Sequence, residues 1–582
     1  MQDVALDTLP RFITSLCERA YYNQAEGRAE SVAELCLHLS PTIQFNTPDA
    51  NAAEHADGAL DALALACTYA VSAITSYTRI LLSTARTHRN SRSLIYRLPD
   101  EVLSIIFEFT QSSAINPACG LKAKAPFNLS LVSRRWRGVA LNPALWTVID
   151  RKNARIANLY LQRSGSRLLD IDLLSYNQSY YWFSGSDIRS FAFDIRPNAA
   201  LTARNAGRVD HGSLLTPLFS HIERCRTLAL EGLRHYDVVH LGLPHAPNLK
   251  SLRLFNSADS FVHWKPLHEP FLQRPPNLSI LELYNFPLPF TSSMFVGLKE
   301  MYIRTVAYSR RTAQGLIGIL AACPLLEKVE LDSVCLASSL APTPEFEPIL
   351  LPHLEKMALL WMDSSVVRVI LSSVIAPPTL RLEIRTTDNA SGLGMVSPQV
   401  TALPNIHAVK MLFFRIGPGT EQFGLTGRAS EDGVDLLKFD FHFPPELAAF
   451  SKARKDVMFY LGQDLLNLPL HRLSFLQIYD DQMNGLAYVQ TIGDASALTV
   501  LSLDECDAPE FLEVFIATPT IHLYPSLQAL HLRQPHVRKD TLIRLVDSRQ
   551  PQLSYIKIVQ CEGVDEDVVS ELRNVIEVSW EK

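Results

Sequence analysis

The chain has 582 residues, more than one hydrophobic core normally serves, so its length favours several domains or one elongated repeat array. Hydrophobic residues make up 47% of the chain and charged residues 20%, which excludes a mostly disordered protein. With Lys+Arg 54 against Asp+Glu 60, the net charge of -6 offers no general attraction for a phosphate backbone, and we expect no nucleic-acid partner.

The cysteines and the N-terminus bear on the compartment. The nine cysteines are scattered and form no C-x-x-C pair, which predicts reduced thiols in a cytoplasmic or nuclear protein and no zinc site. The N-terminus lacks the basic patch and apolar core of a signal peptide. The uncharged stretch between Asp61 and Arg79 is rich in Ala, Ser and Thr, so we expect no membrane span.

The first 93 residues carry no functional motif, but helical periodicity runs through them. Apolar spacing predicts one or two helices over residues 4–38 and a long helix with one apolar stripe over residues 58–87. Polar and helix-breaking residues predict a loop over residues 48–57. We therefore predict a helical N-terminal region of unknown role over residues 1–93.

A short apolar helix with proline in its first turn comes next. Pro99 is tolerated there because the first N–H groups of a helix have no intrahelical partner. The apolar residues of this helix lie on two sides at helical spacing: Val102, Leu103, Ile106 and Phe107 on one, Ile105 and Phe109 on the other. A module of about 50 residues cannot bury all of them, so we expect some to face a partner.

Three sequence blocks around this helix carry a family resemblance. They are Leu98-Pro99-x-Glu101-Val102-Leu103-x-x-Ile106-Phe107, Leu131-Val132-Ser133-Arg134-Arg135-Trp136-Arg137 and Asn142-Pro143-x-Leu145-Trp146. In this order they resemble the F-box, the segment by which substrate receptors attach to the Skp-type adaptor of cullin-RING ubiquitin ligases. The linker from Gln111 to Phe127 is longer than in compact F-boxes, and Ser133 stands where cysteine is common.

The resemblance implies an F-box over residues 94–150. It also implies which residues form or support the interface with the Skp-type adaptor: Leu98, Pro99, Val102, Leu103, Ile106, Phe107, Val132 and Trp136.

The pattern apolar-x-x-apolar-x-apolar recurs from Leu168 to the C-terminal region. After instances that begin at Leu168 and Ile188, thirteen more begin between Cys225 and Leu553, at about 27 residues per step, inside the range of leucine-rich repeats. Prolines precede many of them, as expected where a chain enters a strand.

The irregular spacing includes one long gap, in which we predict a helix over residues 446–466. A helix over residues 566–575 and a strand over residues 576–580 are predicted to cap the array. Cys506 and Cys561 fall where such repeats take Asn or Cys to satisfy the turn, so we interpret both as structural.

The predicted fold class is therefore α/β, with a helical N-terminal region and F-box followed by a leucine-rich-repeat solenoid, or horseshoe, over residues 151–582. In each repeat strand, the residue between the last two apolar positions points to the concave side, away from the core. The candidate target-binding residues on that side are Arg253, Phe255, Glu282, Tyr284, Tyr302, Glu330, Lys410, Tyr479 and His531. Their mixture of charges and aromatic rings suits protein recognition, although a merely solvated strand face explains any one of them equally well.

Catalytic motifs are not evident in the sequence. It contains no glycine-rich phosphate loop after a strand and no Gly-x-Ser-x-Gly elbow, and its seventeen histidines do not cluster. We therefore predict that the chain is not an enzyme and uses no metal and no cofactor.

The resemblance implies a non-catalytic substrate-recognition subunit of a Skp-cullin-F-box ubiquitin ligase, whose repeats bind an unidentified target protein. Two alternatives remain: a leucine-rich-repeat interaction scaffold not linked to ubiquitin, and a cryptic hydrolase. The order of F-box and irregular repeats looks most like the expanded F-box families of mushroom-forming fungi.

Overall fold

The structure is a computed structural model, and it describes only part of the chain. It covers residues 50–112, 125–151, 153–174, 217–218, 220–231, 246–256, 274–308, 313–336, 347–386, 403–416, 422–442, 470–479, 495–505, 508–518 and 523–582. The predicted helices over residues 4–38 and 446–466, the repeat that begins at Ile188, and Cys506 lie outside these residues. The chain divides into two compact units, Met1–Ser113 with Phe127–Ala140, and Ala114–Pro126 with Leu141–Lys582.

The predicted F-box region and the segment before it are helical where they are described. The helices are α1 (Ala50–Ser91), α2 (Asp100–Ser112), α3 (Ala125–Ser130) and α4 (Arg134–Ala140), with a 3-10 turn at Leu94–Arg97. Because α1 begins at Ala50, the loop predicted over residues 48–57 is wrong from that residue onward. Alanines and Glu54 are strong helix formers and extend the helix back towards Pro48.

The second unit is built on one sheet. Its strands are β1 (Val148–Asp150), β2 (Leu169–Asp172), β3 (Cys225–Glu231), β4 (Ser251–Phe255), β5 (Ile280–Tyr284), β6 (Glu300–Tyr308), β7 (Lys328–Leu336), β9 (Lys356–Met362), β11 (Arg381–Thr386), β12 (Met411–Ile416), β13 (Gln422–Arg428), β14 (Asp435–His442), β15 (Phe475–Tyr479), β16 (Val500–Asp504), β17 (Ala529–Arg533), β18 (Tyr555–Val559) and β19 (Glu577–Glu581). Two short strands, β8 (Ile349–Leu350) and β10 (Val374–Ile375), pair with each other. The helices are α5 (Ala157–Arg163), α6 (Ala313–Ala321), α7 (Ser364–Ser373), α8 (Ala508–Phe515), α9 (Lys539–Ser548) and α10 (Glu566–Arg573).

Parallel pairing in constant register aligns the apolar positions of successive repeats. Leu252 lies opposite Leu281, and Leu281 lies opposite Met301, and all three are buried. None of these strands could bury its apolar side without its neighbours, so the stacked rows form one continuous core. The predicted fold class, helices followed by a leucine-rich-repeat sheet, is confirmed.

The middle of the sheet departs from one strand per repeat. β11 pairs in parallel with β14, β12 pairs in parallel with β15, and β13 lies between β12 and β14, antiparallel to both. The neighbours therefore run β11, β14, β13, β12, β15. Only residues 417–421 and 429–434 connect these three strands, and connections this short form hairpins, whereas a parallel neighbour needs a crossover of about a dozen residues.

The register of β12 and β14 also differs from the prediction. In β12 the buried residues are Leu412 and Phe414, and Phe413 lies opposite Gln477 in the row where Lys410 was predicted. Lys410 precedes the strand, so its predicted place on the repeat face is wrong. In β14, Lys438 lies in that row, opposite Glu383 of β11. The register was predicted wrongly because, in both segments, the apolar residues fit the repeat pattern in more than one frame.

A left-handed backbone residue recurs near the end of the repeat strands. The residues with φ between 49° and 56° at this place are Asn285, Thr305, Ser333, Trp361, Glu505, Gln534 and Gln560. Four of their amides bond to the next strand: those of Asn285, Glu505, Gln534 and Gln560, as when the N–H of Gln534 donates to the carbonyl of Val559 at 2.8 Å. None is glycine, and each L-residue in this conformation costs about 1–2 kcal/mol.

We expect Thr305→Gly to raise the free energy of unfolding by about 1 kcal/mol. Glycine adopts φ 54° without the steric cost that a threonine side chain has there, and this gain outweighs the larger conformational entropy that glycine loses on folding. Urea denaturation monitored by circular dichroism measures the change. Thr426→Gly, in β13, is the matched control and should lower stability by about 1 kcal/mol. An equal loss at both sites would contradict the expectation.

The helix and strand predicted at the C-terminal end of the array are present as α10 and β19. α10 begins after Asp565, whose carboxylate accepts from the N–H of Val568 at 2.9 Å. β19 then pairs in parallel with β18 and completes the last apolar row. Cys561 is half-buried, and its thiol lies 3.4 Å from the carbonyl oxygen of Leu532, consistent with the structural role predicted for it.

Candidate protein-docking surfaces

The inner side of α2 forms the core of the F-box helices. Leu103 and Phe107 are fully buried, and the Phe107 ring packs against Trp136 of α4 with centroids 4.9 Å apart. Such a tilted aromatic pair stabilises helix packing beyond the area it buries. These side chains therefore hold α2 and α4 together.

Arg135 ties the turn before α2 to α4. Its guanidinium lies 2.7 Å from the carboxylate of Asp100 and donates to the carbonyls of Tyr96 and Leu98. The side chain of Asp100 is 61% exposed, so the ion pair itself contributes little. The bonds to carbonyls fix the chain at the entrance of α2. The sequence placed Arg135 in a family block but gave no sign of this role.

The outer side of α2 is apolar and open. Val102, Ile105 and Phe109 are 39%, 52% and 68% exposed and follow one another at three- and four-residue spacing, so they form a single stripe. Leu131 and Val132, between α3 and α4, are 61% and 51% exposed. We call these five residues the apolar stripe. Exposed apolar side chains gathered in one small helical unit make this stripe a candidate interaction site.

The structure separates the eight predicted adaptor-binding residues into three groups. Pro99, Val102 and Val132 are exposed, whereas Leu98, Ile106 and Trp136 are half-buried. Leu103 and Phe107 are sealed inside the helices, so of the two predicted roles they are placed to support an interface and not to form its surface. The site prediction omitted Ile105, Phe109 and Leu131, although the second apolar side of the helix was visible in the sequence.

The last family block lies in the second unit and is structural. Trp146 is fully buried, with its ring 5.0 Å from that of Tyr160 and the guanidinium of Arg163 4.4 Å from its centroid. Asn142 caps the preceding 3-10 turn by accepting from the N–H of Ala144 at 3.1 Å. This block therefore anchors the start of the sheet.

A second surface is the face of the sheet opposite the apolar core rows, which we call the open face. Constant register aligns three rows of side chains on it, for example Asp172, Ala229 and Arg253 in the middle row. Eight predicted target-binding residues lie on this face: Arg253, Phe255, Glu282, Tyr284, Tyr302, Glu330, Tyr479 and His531. Lys410 does not.

Glu282 is the most deeply buried charged group on the open face. Its carboxylate lies 2.9 Å from the guanidinium of Arg304 and 3.6 Å from that of Arg253, and the side chain is 1% exposed. Burial raises the pKa of Glu282 to about 7, and the two arginines act in the opposite direction. Arg304 also lies 2.7 Å from Glu330, so it bridges two carboxylates.

Other predicted target-binding residues contact one another or their neighbours. Phe255 is buried and stacks on Tyr284 with ring centroids 5.6 Å apart. The hydroxyl of Tyr302 donates to Glu300 at 2.9 Å. Burial and the charge of Lys557 lower the pKa of His531. These residues therefore shape a pre-ordered surface, and only their outer edges are open to a partner.

Within the described part of the chain, two further kinds of feature do not occur. No group of three or more His, Cys, Asp or Glu side chains is placed to hold a metal ion. Among the described helices, none has the length and apolar character needed to span a bilayer.

The helices around α2 and the stacked repeat strands define the class of structure: an F-box-like region followed by a leucine-rich-repeat sheet. The model of the F-box-like family matches residues 95–152. Among solved structures, the complex of Rad7 and Elc1 from yeast is similar at 12% identity, over 87% of this chain and 96% of that chain, with a TM-score of 0.23. None of the curated proteins matches the chain.

Proposed function

We propose that this protein is the non-catalytic substrate receptor of a Skp-cullin-F-box ubiquitin ligase. Its F-box would dock on the Skp-type adaptor, and its repeat sheet would hold a target protein. The observation that carries the proposal is the apolar stripe on α2 and the α3–α4 turn, within the residues that match the F-box-like family. Exposed apolar side chains of this size are covered in most proteins, and a partner helix or groove would cover these.

The mechanism proposed for the receptor is proximity. Holding a lysine of the target near the charged ubiquitin-conjugating enzyme raises its effective concentration, and the receptor contributes no chemistry of its own. The open face of the sheet supports this role because it presents pre-ordered charged and aromatic side chains.

Replacement of Ile105 and Phe109 by Asp should abolish co-purification with a Skp-type adaptor, because two charges would be buried in the interface. Both side chains are exposed, so the variant should fold as the parent does. Leu325→Asp is the matched control, since Leu325 is 52% exposed and lies outside the F-box. Capture is measured by pull-down of the full chain after co-expression with the adaptor.

Undiminished capture by the double variant would contradict the proposal and favour the interaction scaffold that has no link to ubiquitin. A parent chain that captures no adaptor at all would favour the same alternative.

A further inference from the structure

The open face of the sheet is divided by charge. On β2 to β7, the three aligned rows carry seven acidic and three basic side chains: Asp170, Asp172, Glu231, Glu282, Glu300, Glu330 and Asp332 against Arg253, Arg304 and Lys328. We call this part the acidic half. Its excess of four acidic side chains lies on six consecutive strands.

The strands from β9 to β18 have the opposite excess. Their rows carry eight basic and four acidic side chains: Lys356, Arg381, Arg385, Arg415, Arg428, Lys438, Arg533 and Lys557 against Glu383, Asp435, Asp440 and Asp504. We call this part the basic half. β19 adds Glu577 and Glu581 beyond it.

Ion pairs inside each half reduce the excess but do not cancel it. In the acidic half, Asp170 is paired with Arg226, which lies beside the three rows. In the basic half, Arg385 lies 3.0 Å from Glu383 and 3.0 Å from Asp440, which uses those carboxylates. Lys356, Arg381 and Arg533 are exposed and make no ion pair with any residue that the structure describes. In the acidic half, Arg304 is shared between Glu282 and Glu330. Each half therefore keeps charge that a partner could neutralise.

The acidic half also holds its carboxyls in a partly desolvated state. Burial raises the pKa of Asp332, and the neighbouring Glu330 raises it further. Burial likewise raises the pKa of Asp172. A cation placed beside these carboxyls would stabilise their ionised forms, so binding of a basic group here is linked to their deprotonation.

We infer that the open face recognises a two-part protein segment, with a basic portion lying on β2 to β7 and an acidic portion lying on β9 to β18. The inference rests on the proposed receptor function and specifies the chemistry of its target. The two halves favour this segment over a polyanion, which the acidic half would repel. Fifteen strands from β2 to β18 at about 4.8 Å span about 65 Å, the reach of about 20 extended residues.

The test uses synthetic probes of about 20 residues and the full chain. The block probe has a lysine-rich half and a glutamate-rich half separated by serines, and its isomer has the same composition with alternating charge. We expect the block probe to bind at least about tenfold more tightly at low salt, with the preference shrinking as ionic strength rises. Fluorescence anisotropy measures both affinities.

Charge reversal locates the site. Asp172→Lys with Glu231→Lys in the acidic half, or Lys356→Glu with Arg381→Glu in the basic half, should each weaken block-probe binding about tenfold. The first variant should also gain affinity for an all-acidic probe. Arg155→Glu with Glu562→Lys is the control, because both side chains are exposed and lie off the open face. It should leave affinity unchanged.

Equal binding of the two isomers, no binding of the block probe, or tighter binding of a DNA duplex of about 20 base pairs would each overturn the inference. None of these results touches adaptor capture, which depends on the apolar stripe. Loss of capture in the Ile105 and Phe109 variant together with failure of the block probe would therefore leave the receptor proposal standing and remove only this one.

Discussion

Phe107→Ala should lower the free energy of unfolding of the F-box helices by about 3–5 kcal/mol, because it opens a cavity where a fully buried ring packs on Trp136. Adaptor capture should fall as a consequence of the lost fold. Hydrogen exchange of the α2 and α4 amides, measured by mass spectrometry, reports this unit separately from the sheet.

The matched variant is Phe109→Ala, two residues along the same helix. Its ring is 68% exposed, so we expect exchange protection to change by less than about 0.5 kcal/mol while adaptor capture weakens. If both variants lost capture with equal loss of protection, the assignment of Phe107 to the core and Phe109 to the docking surface would be wrong.

Arg304→Gln should cost about 3–5 kcal/mol at pH 8, because it leaves the carboxylate of Glu282 buried without its nearest cation. The penalty depends on pH in a defined direction. The pKa of Glu282 is raised from 4.5 to about 7, so its stabilising contribution is full below pH 4.5 and is lost as the pH rises through 7. Without Arg304 the pKa rises further, and the carboxyl is protonated at no great cost near pH 5.

Urea denaturation of the parent and Arg304→Gln at pH 5 and pH 8 tests this expectation. The double variant Glu282→Gln with Arg304→Gln removes both charges and should recover most of the loss at pH 8. A penalty for Arg304→Gln that was the same at both pH values would show that Glu282 does not titrate in this range.

The sequence was sufficient to predict the helices of the F-box and most of the repeat strands. Both depend on local periodicity, and the parallel register then follows because a slip by one residue would expose every apolar side chain. Which side of α2 faces inward was not predictable in the same way. Leu103 and Ile105 are equally apolar, and only the position of Trp136 on α4 decides between them.

The candidate open-face site was predicted residue by residue but not as a surface. Glu282 and Arg304 lie in the strands of two neighbouring repeats. Nothing in the sequence shows that they form an ion pair or that Arg304 is shared with Glu330 as well. The division of charge across the face was equally hidden. It emerges only when the register of each strand is known, because the frames of β12 and β14 place Arg415 and Lys438 in the rows.

That reversed order sets the sequence in which a nascent chain completes the sheet. From β2 to β11, each strand of the main sheet emerges from the ribosome after the neighbour on which it packs. The next neighbour of β11 is β14, which is synthesised later. Lys438 of β14 donates to Glu383 of β11, and the two residues are 55 positions apart in the chain. β12 has no parallel neighbour until β15 is synthesised. The hydroxyl of Ser474, just before β15, donates to the carbonyl of Lys410, just before β12, and these residues are 64 positions apart. A pause in translation between these points would leave a half-built sheet with an uncovered edge, the form most exposed to chaperones and proteases.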